Sequence, residues 1–285
     1  MAGWVLIHWP PLVKMNIEQH VAFTAGLIGK GIQASLTTAI HMAEGRAQGL
    51  QYQYELFDLD QVQSGADQLS AVMADMGQHH FGVLNMVHPF KHQVVGLFDD
   101  LSQETRALGA ANTIVLRDGR RSGHNTDRWY FAERFCRRLP GANVTSIVQL
   151  GAGGAGAATA SAILRAGAAM LTIFDPDEGQ AGNLVDTMRR HFDQADIRVG
   201  TDLAGSMATA TGLVCATLTA MPLPVELLDP SLWVAESVYF PLETELVLES
   251  HRRGCKGYEW RRNGHLSGSE PPSSSPELNP VRTAC

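Results

Sequence analysis

Short runs of apolar residues alternate with segments of helical spacing along the first part of the chain. "FTAGLIGKGIQASLTTAIHMAEGRAQGL" predicts a short strand, a glycine-rich turn and a helix over about residues 37–48. "YQYELFDLD" alternates as a strand does, and "ADQLSAVMADMG" has the spacing of a helix. "FGVLNMV", which is bounded by Pro89, predicts a buried strand. This order of strands and helices predicts an α/β unit.

The alternation continues to the middle of the chain and then restarts. "QETRALGA" predicts a helix, "ANTIVLRDG" a strand with its turn, and "TDRWYFAERFCRRL" a long helix that ends before Pro140. Then follow the strand "SIVQL", a glycine turn, a helix to about residue 166 and the strand "AMLTIFD". "AGNLVDTMRRHF", "TGLVCAT" and "LWVAESVY" add a helix, an apolar run and a strand. We therefore predict two α/β lobes, over residues 22–124 and 125–260.

Composition narrows the classes of function. The 285 residues are 45% hydrophobic and 18% charged, which suits a globular protein with two hydrophobic cores. A net charge of -7 gives no basic field for nucleic acid or anionic lipid, so we expect neither as a partner. The four cysteines are far apart in sequence and form no CxxC pair, so we expect a cytoplasmic protein. The N-terminal stretch lacks a cationic start and contains two prolines, so we expect no targeting or membrane segment. Residues 261–285 are rich in Ser and Pro, and we expect them to be disordered.

The stretch "LGAGGAG" carries the first candidate chemistry. Gly151, Gly153 and Gly156 match the pattern G-x-G-x-x-G between a predicted strand and a predicted helix. In that context the backbone N–H groups of the loop, including those of Gly154 and Ala155, face a pyrophosphate at the helix N-terminus. A tight turn without a ligand is the alternative. The context favours a Rossmann-type dinucleotide-binding domain.

The choice of dinucleotide depends on Asp175. This residue ends the next predicted strand, 19 positions after Gly156, where a carboxylate can bond both ribose hydroxyls. The same carboxylate repels a 2′-phosphate, and no Arg follows directly, so we predict NAD rather than NADP. FAD shares the fingerprint, but FAD proteins usually carry it at the N-terminus.

Lys91 and Asp127 are the candidates for proton transfer. Both stand at predicted loop ends, where a carboxylate can orient an ammonium group that exchanges a proton with a substrate hydroxyl. Taken alone, Asp127 also fits a helix N-cap and Lys91 a solvated surface charge. Asn112 and Asn125 equally fit turn positions.

The histidines give no signal for a metal site. His79, His80, His88 and His92 cluster in sequence, but Pro89 interrupts their spacing and no Cys or paired carboxylate accompanies them. We therefore predict no bound metal.

Several spaced motifs together resemble the shikimate/quinate dehydrogenase family. In chain order these are "ASLTTAIH", "NMVHPFK", "GAANTIV", "GHNTD", "GAGGAG" and "VYFPLETELV". The family's S-x-S/T motif is similar to residues 35–37, N-x-T-x-P-x-K to 85–91, A-x-N-T to 110–113 and N-T-D to 125–127. The resemblance runs from about residue 26 to 255 and implies an N-terminal substrate-binding domain over 22–124.

The resemblance implies an oxidoreductase that transfers a hydride between NAD and a ring hydroxyl of quinate or shikimate. It implies that Lys91 and Asp127 are the catalytic pair. The residues implied to bind the polyhydroxylated ring acid are Ser35, Thr37, Asn112, Asp127 and Tyr239. The "FDPD" loop resembles the NAD-using, quinate-type branch. A homodimer is compatible with the sequence.

Two departures from the family pattern keep an alternative open. Val87 stands at the threonine position of N-x-T and removes a hydroxyl, and the chain after Cys255 differs from the family's final helix. These differences leave a catalytically weak or silent nucleotide-binding homologue as the second hypothesis.

Overall fold

The computed structural model describes residues 23–59, 66–78, 81–237 and 244–258. These residues form two six-stranded sheets with helices packed on them. The strands of the first sheet are β1 (Phe23–Gly29), β2 (Tyr52–Asp58), β3 (Phe81–Met86), β4 (Asp100–Leu101), β5 (Thr113–Arg117) and β6 (Arg120–His124). The helices of this part are α1 (Thr37–Ala47), α2 (Ala66–Gln78) and α3 (Gln103–Leu108).

The first sheet is mixed, in the order β2-β1-β3-β5-β6-β4. β1 is parallel to both β2 and β3, whereas β5 is antiparallel to β3 and to β6. β5 and β6 form a hairpin through Asp118 and Gly119, which have φ values of 51° and 72°. Two consecutive positive φ angles are typical of the tight turn that matches the twist of a hairpin.

The second sheet is parallel throughout, in the order β12-β11-β10-β7-β8-β9. Its strands are β7 (Ser146–Leu150), β8 (Met170–Phe174), β9 (Asp196–Val199), β10 (Gly212–Cys215), β11 (Trp233–Glu236) and β12 (Lys256–Tyr258). The accompanying helices are α4 (Asp127–Arg138), α5 (Gly154–Arg165), α6 (Glu178–Arg189), α7 (Leu203–Met207) and α8 (Glu245–Arg252). The strand order reverses between β7 and β10, and such a switch point is where open parallel sheets bind ligands.

Separate buried clusters support the two sheets. In the first, Met73 and Met76 of α2 pack near Leu84 of β3. In the second, Phe131 and Phe135 of α4 join a cluster that includes the apolar side of α5. The central strands β7, β10 and β11 are buried on both sides, which explains their nearly continuous apolar sequences.

The predicted two-lobed α/β fold with a doubly wound second sheet is confirmed. The predicted helix over 37–48 corresponds to α1, and the predicted strand "SIVQL" to β7. β4, β6, β9, β12, α7 and α8 were not predicted. The division at residues 124/125 stays a prediction, and the tail over 261–285 lies outside the described residues.

Candidate active site

The loops after β1 and β3 meet at one edge of the first sheet. Both strands run in the same direction, so their carboxyl ends lie side by side. Lys30 N donates to His88 O at 3.2 Å, and Val87 N donates to Ile28 O at 3.0 Å. These two backbone bonds hold together the segments that carry the predicted substrate and proton-transfer residues.

Lys91 and Asp127 form an ion pair at this edge. Lys91 Nζ donates to Asp127 Oδ2 at 2.6 Å, and the two side chains are 15% and 27% exposed. Partial burial strengthens a charge-assisted bond, because little water competes for either partner. Ala111 N donates to Lys91 O at 2.8 Å and fixes the backbone of the lysine. The predicted pair therefore forms, across 36 residues of sequence.

Two buried asparagines hold Asp127 at the start of α4. Asn112 Oδ1 accepts from Thr126 N at 2.9 Å, and Asn112 Nδ2 donates to Thr126 Oγ1 at 3.0 Å. Asn125 Oδ1 accepts from Asp127 N at 3.1 Å, while its Nδ2 donates to Ala110 O at 2.9 Å. Both side chains satisfy backbone groups that the helix start leaves unpaired, so the position of the Asp127 carboxylate is fixed by the first sheet.

Ser35 and Thr37 lie together on the loop that leads into α1. Their hydroxyl oxygens are 2.8 Å apart, and Thr37 N donates to Ser35 Oγ at 3.2 Å. Asp58, at the end of β2, accepts from Gly31 N at 2.9 Å and Ile32 N at 3.0 Å and holds the preceding turn. Asp58 was not predicted; the signal in the sequence was a carboxylate that ends an alternating strand.

The glycine loop of the second sheet lies against Lys91. After β7 the chain turns at Gly151, which has a φ of +104°, and α5 begins at Gly154. A Cβ atom on Gly154 would lie 2.8 Å from Lys91 Cβ. Only a glycine allows so close an approach. The predicted cofactor loop and the predicted proton-transfer residue are therefore in direct contact.

The first turn of α5 fits a pyrophosphate group. Ala157 N donates to Gly153 O, so the N–H groups of Gly154, Ala155 and Gly156 have no partner within the helix. Such N–H groups, together with the helix dipole, bind anionic groups. A Cβ atom on Gly153 would meet no atom within 4 Å, which marks open space beside the loop.

Asp175 is directed at the same loop from the end of β8. Its Oδ2 accepts from Ala152 N at 2.7 Å, and its Oδ1 accepts from Asp177 N at 2.9 Å. A carboxylate oxygen can accept more than one hydrogen bond, so both oxygens can also accept from ribose hydroxyls. The structure thus brings a carboxylate to the end of the loop where the fingerprint requires one.

Burial shifts the pKa values of three side chains, those of His88, Cys215 and Glu236, in the direction of the neutral form. Burial lowers the pKa of His88, and the positive charges of Lys91 and Lys30 lower it further. Burial raises the pKa of Cys215 to about 12, and burial also raises the pKa of Glu236. Cys215 is therefore a thiol at neutral pH and not a nucleophile.

The other predicted site residues thus lie at strand ends and helix starts of the two sheets, whereas Tyr239 lies outside the described residues. Residues that the sequence reasoning missed include Asp58 and the buried Gln149 under the glycine loop. Within the described ranges, no group of three His, Cys, Asp or Glu side chains could hold a metal ion. None of the described helices is long and apolar enough to cross a membrane.

Comparison with known proteins points to one group. The model of the shikimate dehydrogenase substrate binding domain matches residues 27–114. Shikimate dehydrogenase (NADP(+)) of Streptomyces avermitilis is 44% identical over 242 residues, 82% of this chain and 83% of that protein. Quinate/shikimate dehydrogenase (NAD(+)) of Corynebacterium efficiens is 35% identical over 253 residues, 85% and 89% of the two chains. Quinate dehydrogenase from Corynebacterium glutamicum in complex with NAD superimposes with a TM-score of 0.73 at 34% identity, covering 83% and 87%.

Proposed function

Because the chain belongs to the shikimate dehydrogenase family, we propose that it transfers a hydride between NAD and a ring hydroxyl of quinate or shikimate. The contact of Lys91 with the start of α5, while Lys91 also bonds Asp127, is the observation that carries this proposal. Oxidation of an alcohol removes a hydride from carbon and a proton from oxygen. A proton-transfer group beside a pyrophosphate-binding loop meets both requirements.

Lys91 handles the proton in this proposal. During reduction the Lys91 ammonium gives a proton to the carbonyl oxygen as the hydride reaches the carbon. During oxidation the neutral amine, which is left after the ammonium has given a proton to solvent, takes the proton of the substrate hydroxyl. Asp127 Oδ2 holds Nζ at 2.6 Å and limits its rotation, while Oδ1 is positioned to accept from a neighbouring ring hydroxyl. The N–H groups of the first turn of α5 would hold the pyrophosphate of NAD, which would supply the hydride acceptor for this oxidation.

The substrate carboxylate is proposed to meet Ser35 and Thr37. Their paired hydroxyls can each donate to one carboxylate oxygen, and Asp58 keeps the preceding turn in place. Asn112 is buried at the strand ends, where its amide can bond a ring hydroxyl. Tyr239 keeps its proposed role as a further substrate contact. Val87 offers no hydroxyl and packs instead beside an apolar cluster that contains Ile32.

The NAD preference follows from Asp175 and the residues after it. Relatives with NADP(+) and with NAD(+) in their names both match the chain, so similarity alone does not decide between the two cofactors. Between Phe174 and Met188 the sequence contains no Lys or Arg to neutralise a 2′-phosphate. The Asp175 carboxylate repels that phosphate, which favours NAD.

We expect the wild-type protein to bind NAD at least about tenfold more tightly than NADP, a difference of about 1.4 kcal/mol. Asp175→Ala should narrow this ratio, because it removes both the repulsion and the bonds to the ribose. Asp175→Asn is the matched variant, since it removes the charge and keeps an oxygen that can accept from Ala152 N. Calorimetric titration with both cofactors measures the ratio. Equal or tighter binding of NADP by the wild type would contradict the proposed preference.

Ser35→Ala should raise the KM for the ring acid by roughly 10- to 150-fold, because one hydrogen bond to a charged group contributes about 1.5–3 kcal/mol. Thr37→Val should act in the same direction. The Kd for NAD should stay unchanged in both variants, since these residues lie on the substrate lobe. Steady-state kinetics at saturating NAD measures the KM. An unchanged KM in both variants would show that Ser35 and Thr37 do not bind the substrate.

The dehydrogenase is favoured over the silent homologue, because the similar proteins are enzymes by name and the Lys91–Asp127 pair is formed. The test mixes the protein with each member of a panel, which contains quinate, shikimate and their 3-dehydro acids, and with NAD or NADP in the matching oxidation state. The absorbance of the reduced nicotinamide reports turnover. Turnover of at least one ring acid with NAD is expected. Binding of NAD without turnover of any member of the panel would favour the catalytically silent homologue.

Three further expectations stay predictions. They are the homodimer, the absence of nucleic-acid and membrane partners, and the cytoplasmic location.

A further inference from the structure

A buried amide lies in an otherwise apolar strand beneath the glycine loop. Gln149 is the fourth residue of β7 and has no exposed surface. Its partners across the sheet are Ile173 of β8 and Val214 of β10. A primary amide among aliphatic side chains costs free energy unless all its polar atoms are bonded. Its presence therefore calls for a specific set of partners.

Those partners belong to the loop and to α5. Gln149 Nε2 donates to Gly151 O and to Gly156 O, each at 2.9 Å. Gln149 Oε1 accepts from Thr159 Oγ1 at 3.0 Å, and that hydroxyl also lies 3.1 Å from Gly156 O. The carbonyl groups of Gly151 and Gly156 can only accept, so they fix which end of the amide faces the loop. One side chain thus joins the carbonyl groups of the first and last glycines of the G-x-G-x-x-G motif.

We propose that Gln149 is a positioning residue for the cofactor pyrophosphate, and this inference rests on the proposed function. When the two carbonyl groups are held inwards, the N–H groups of Gly154, Ala155 and Gly156 are directed outwards at the start of α5. The glycines of the loop have no side chains to pack, so hydrogen bonds to their backbone are what hold them in place. A preorganised set of N–H donors loses less free energy on binding than a loop that must first be ordered.

The crowding inside the loop supports this role. A Cβ atom on Gly156 would collide with Gly151 O and would lie 3.3 Å from Gln149 Nε2. A Cβ atom on Gly151 would lie 2.6 Å from Ala216 O, in the segment after β10. The amide, the two glycines and the end of β10 are therefore packed without spare space. Loss of the amide leaves Gly151 O without this donor at a buried position.

The inference is tested by displacing bound NADH with ADP or with adenosine. The fluorescence of NADH measures the displacement. ADP carries the pyrophosphate and adenosine does not, so the ratio of their Kd values measures how well the loop holds that group. In Gln149→Leu we expect the advantage of ADP over adenosine to fall on the order of tenfold. Gln149→Glu should cause a loss in the same direction, because a protonated carboxyl group has one O–H and can donate to only one of the two carbonyl groups. Thr159→Val should cause a smaller loss in the same direction, and Thr159→Ser should retain the wild-type ratio.

Thr172→Val is the matched control. Thr172 is also a buried polar residue of the second sheet, but its Oγ1 accepts from Arg198 Nε, away from the loop. The control should keep the wild-type ratio of ADP to adenosine. An unchanged ratio in Gln149→Leu, or an equal loss of ADP and adenosine with a lower melting temperature, would overturn the inference. If Gln149→Leu does not fold, the same ratio in Thr159→Val decides. A wild type that binds neither NADH nor ADP would instead refute the proposed function.

Discussion

Lys91→Ala is expected to lower kcat by roughly 10²–10⁴-fold, the usual contribution of a general acid–base group. The ammonium group beside Asp127 is lost, and with it the group that exchanges the proton with the substrate hydroxyl in this proposal. The Kd for NAD should change little, because the pyrophosphate donors are backbone groups of α5. Steady-state kinetics at saturating ring acid and cofactor measures the effect.

Lys91→Arg is the informative companion to that variant. Arginine can keep an ion pair with Asp127, but its guanidinium does not release a proton at accessible pH. We therefore expect Lys91→Arg to be nearly as inactive as Lys91→Ala. Substantial activity in the arginine variant would mean that the charge of Lys91 matters and that its proton transfer does not. Normal turnover in Lys91→Ala would show that this lysine is an ordinary surface charge and does not transfer the proton.

Asp127→Asn is expected to lose most of the activity, with a fall in kcat of roughly 10²-fold or more. The amide keeps a similar shape at the start of α4, so the fold should be retained. What it loses is the charge that holds Lys91 Nζ at 2.6 Å and the strong acceptor for a substrate hydroxyl.

The double variant of Lys91→Ala and Asp127→Asn separates a cooperating pair from two independent residues. Residues that act as a unit are strongly non-additive, so the double variant should be only slightly less active than Lys91→Ala alone. Losses that multiply would show that Asp127 contributes independently of Lys91. Asp58→Asn serves as a comparison, because it weakens a carboxylate that supports the Ser35 turn and should raise KM more than it lowers kcat.

The periodic elements could be predicted from the sequence because local pattern determines them. α1 ends one residue before the expected position, and β7 and β8 coincide with apolar runs. β6 could not be predicted, since "RRSGH" has no apolar alternation and forms a strand only by pairing with β5 after a tight turn. α8 is short and depends on the Thr244 hydroxyl, which accepts from Val247 N, to begin its first turn.

The site could be predicted in part. Their loop positions allow Lys91 and Asp127 to be a proton-transfer pair, but they equally fit a surface charge and a helix cap, and only the resemblance favours the pair. The glycine fingerprint identified the pyrophosphate loop through its strand and helix. The role of Gln149 could not be predicted, because a buried amide in an apolar strand is explained only by the carbonyl groups that folding brings to it. Long-range hydrogen bonds of this kind leave no periodic trace in a sequence.

Transfer of deuterium is the most direct test of the proposed chemistry. Quinate or shikimate with deuterium on the carbon that bears the reacting hydroxyl is incubated with wild-type protein and NAD, and the nicotinamide is isolated for mass spectrometry. We expect reduced nicotinamide that carries one deuterium, together with the 3-dehydro acid. Reduced nicotinamide without the label, or the absence of reduced nicotinamide from a protein that binds both ligands, would contradict hydride transfer at this site.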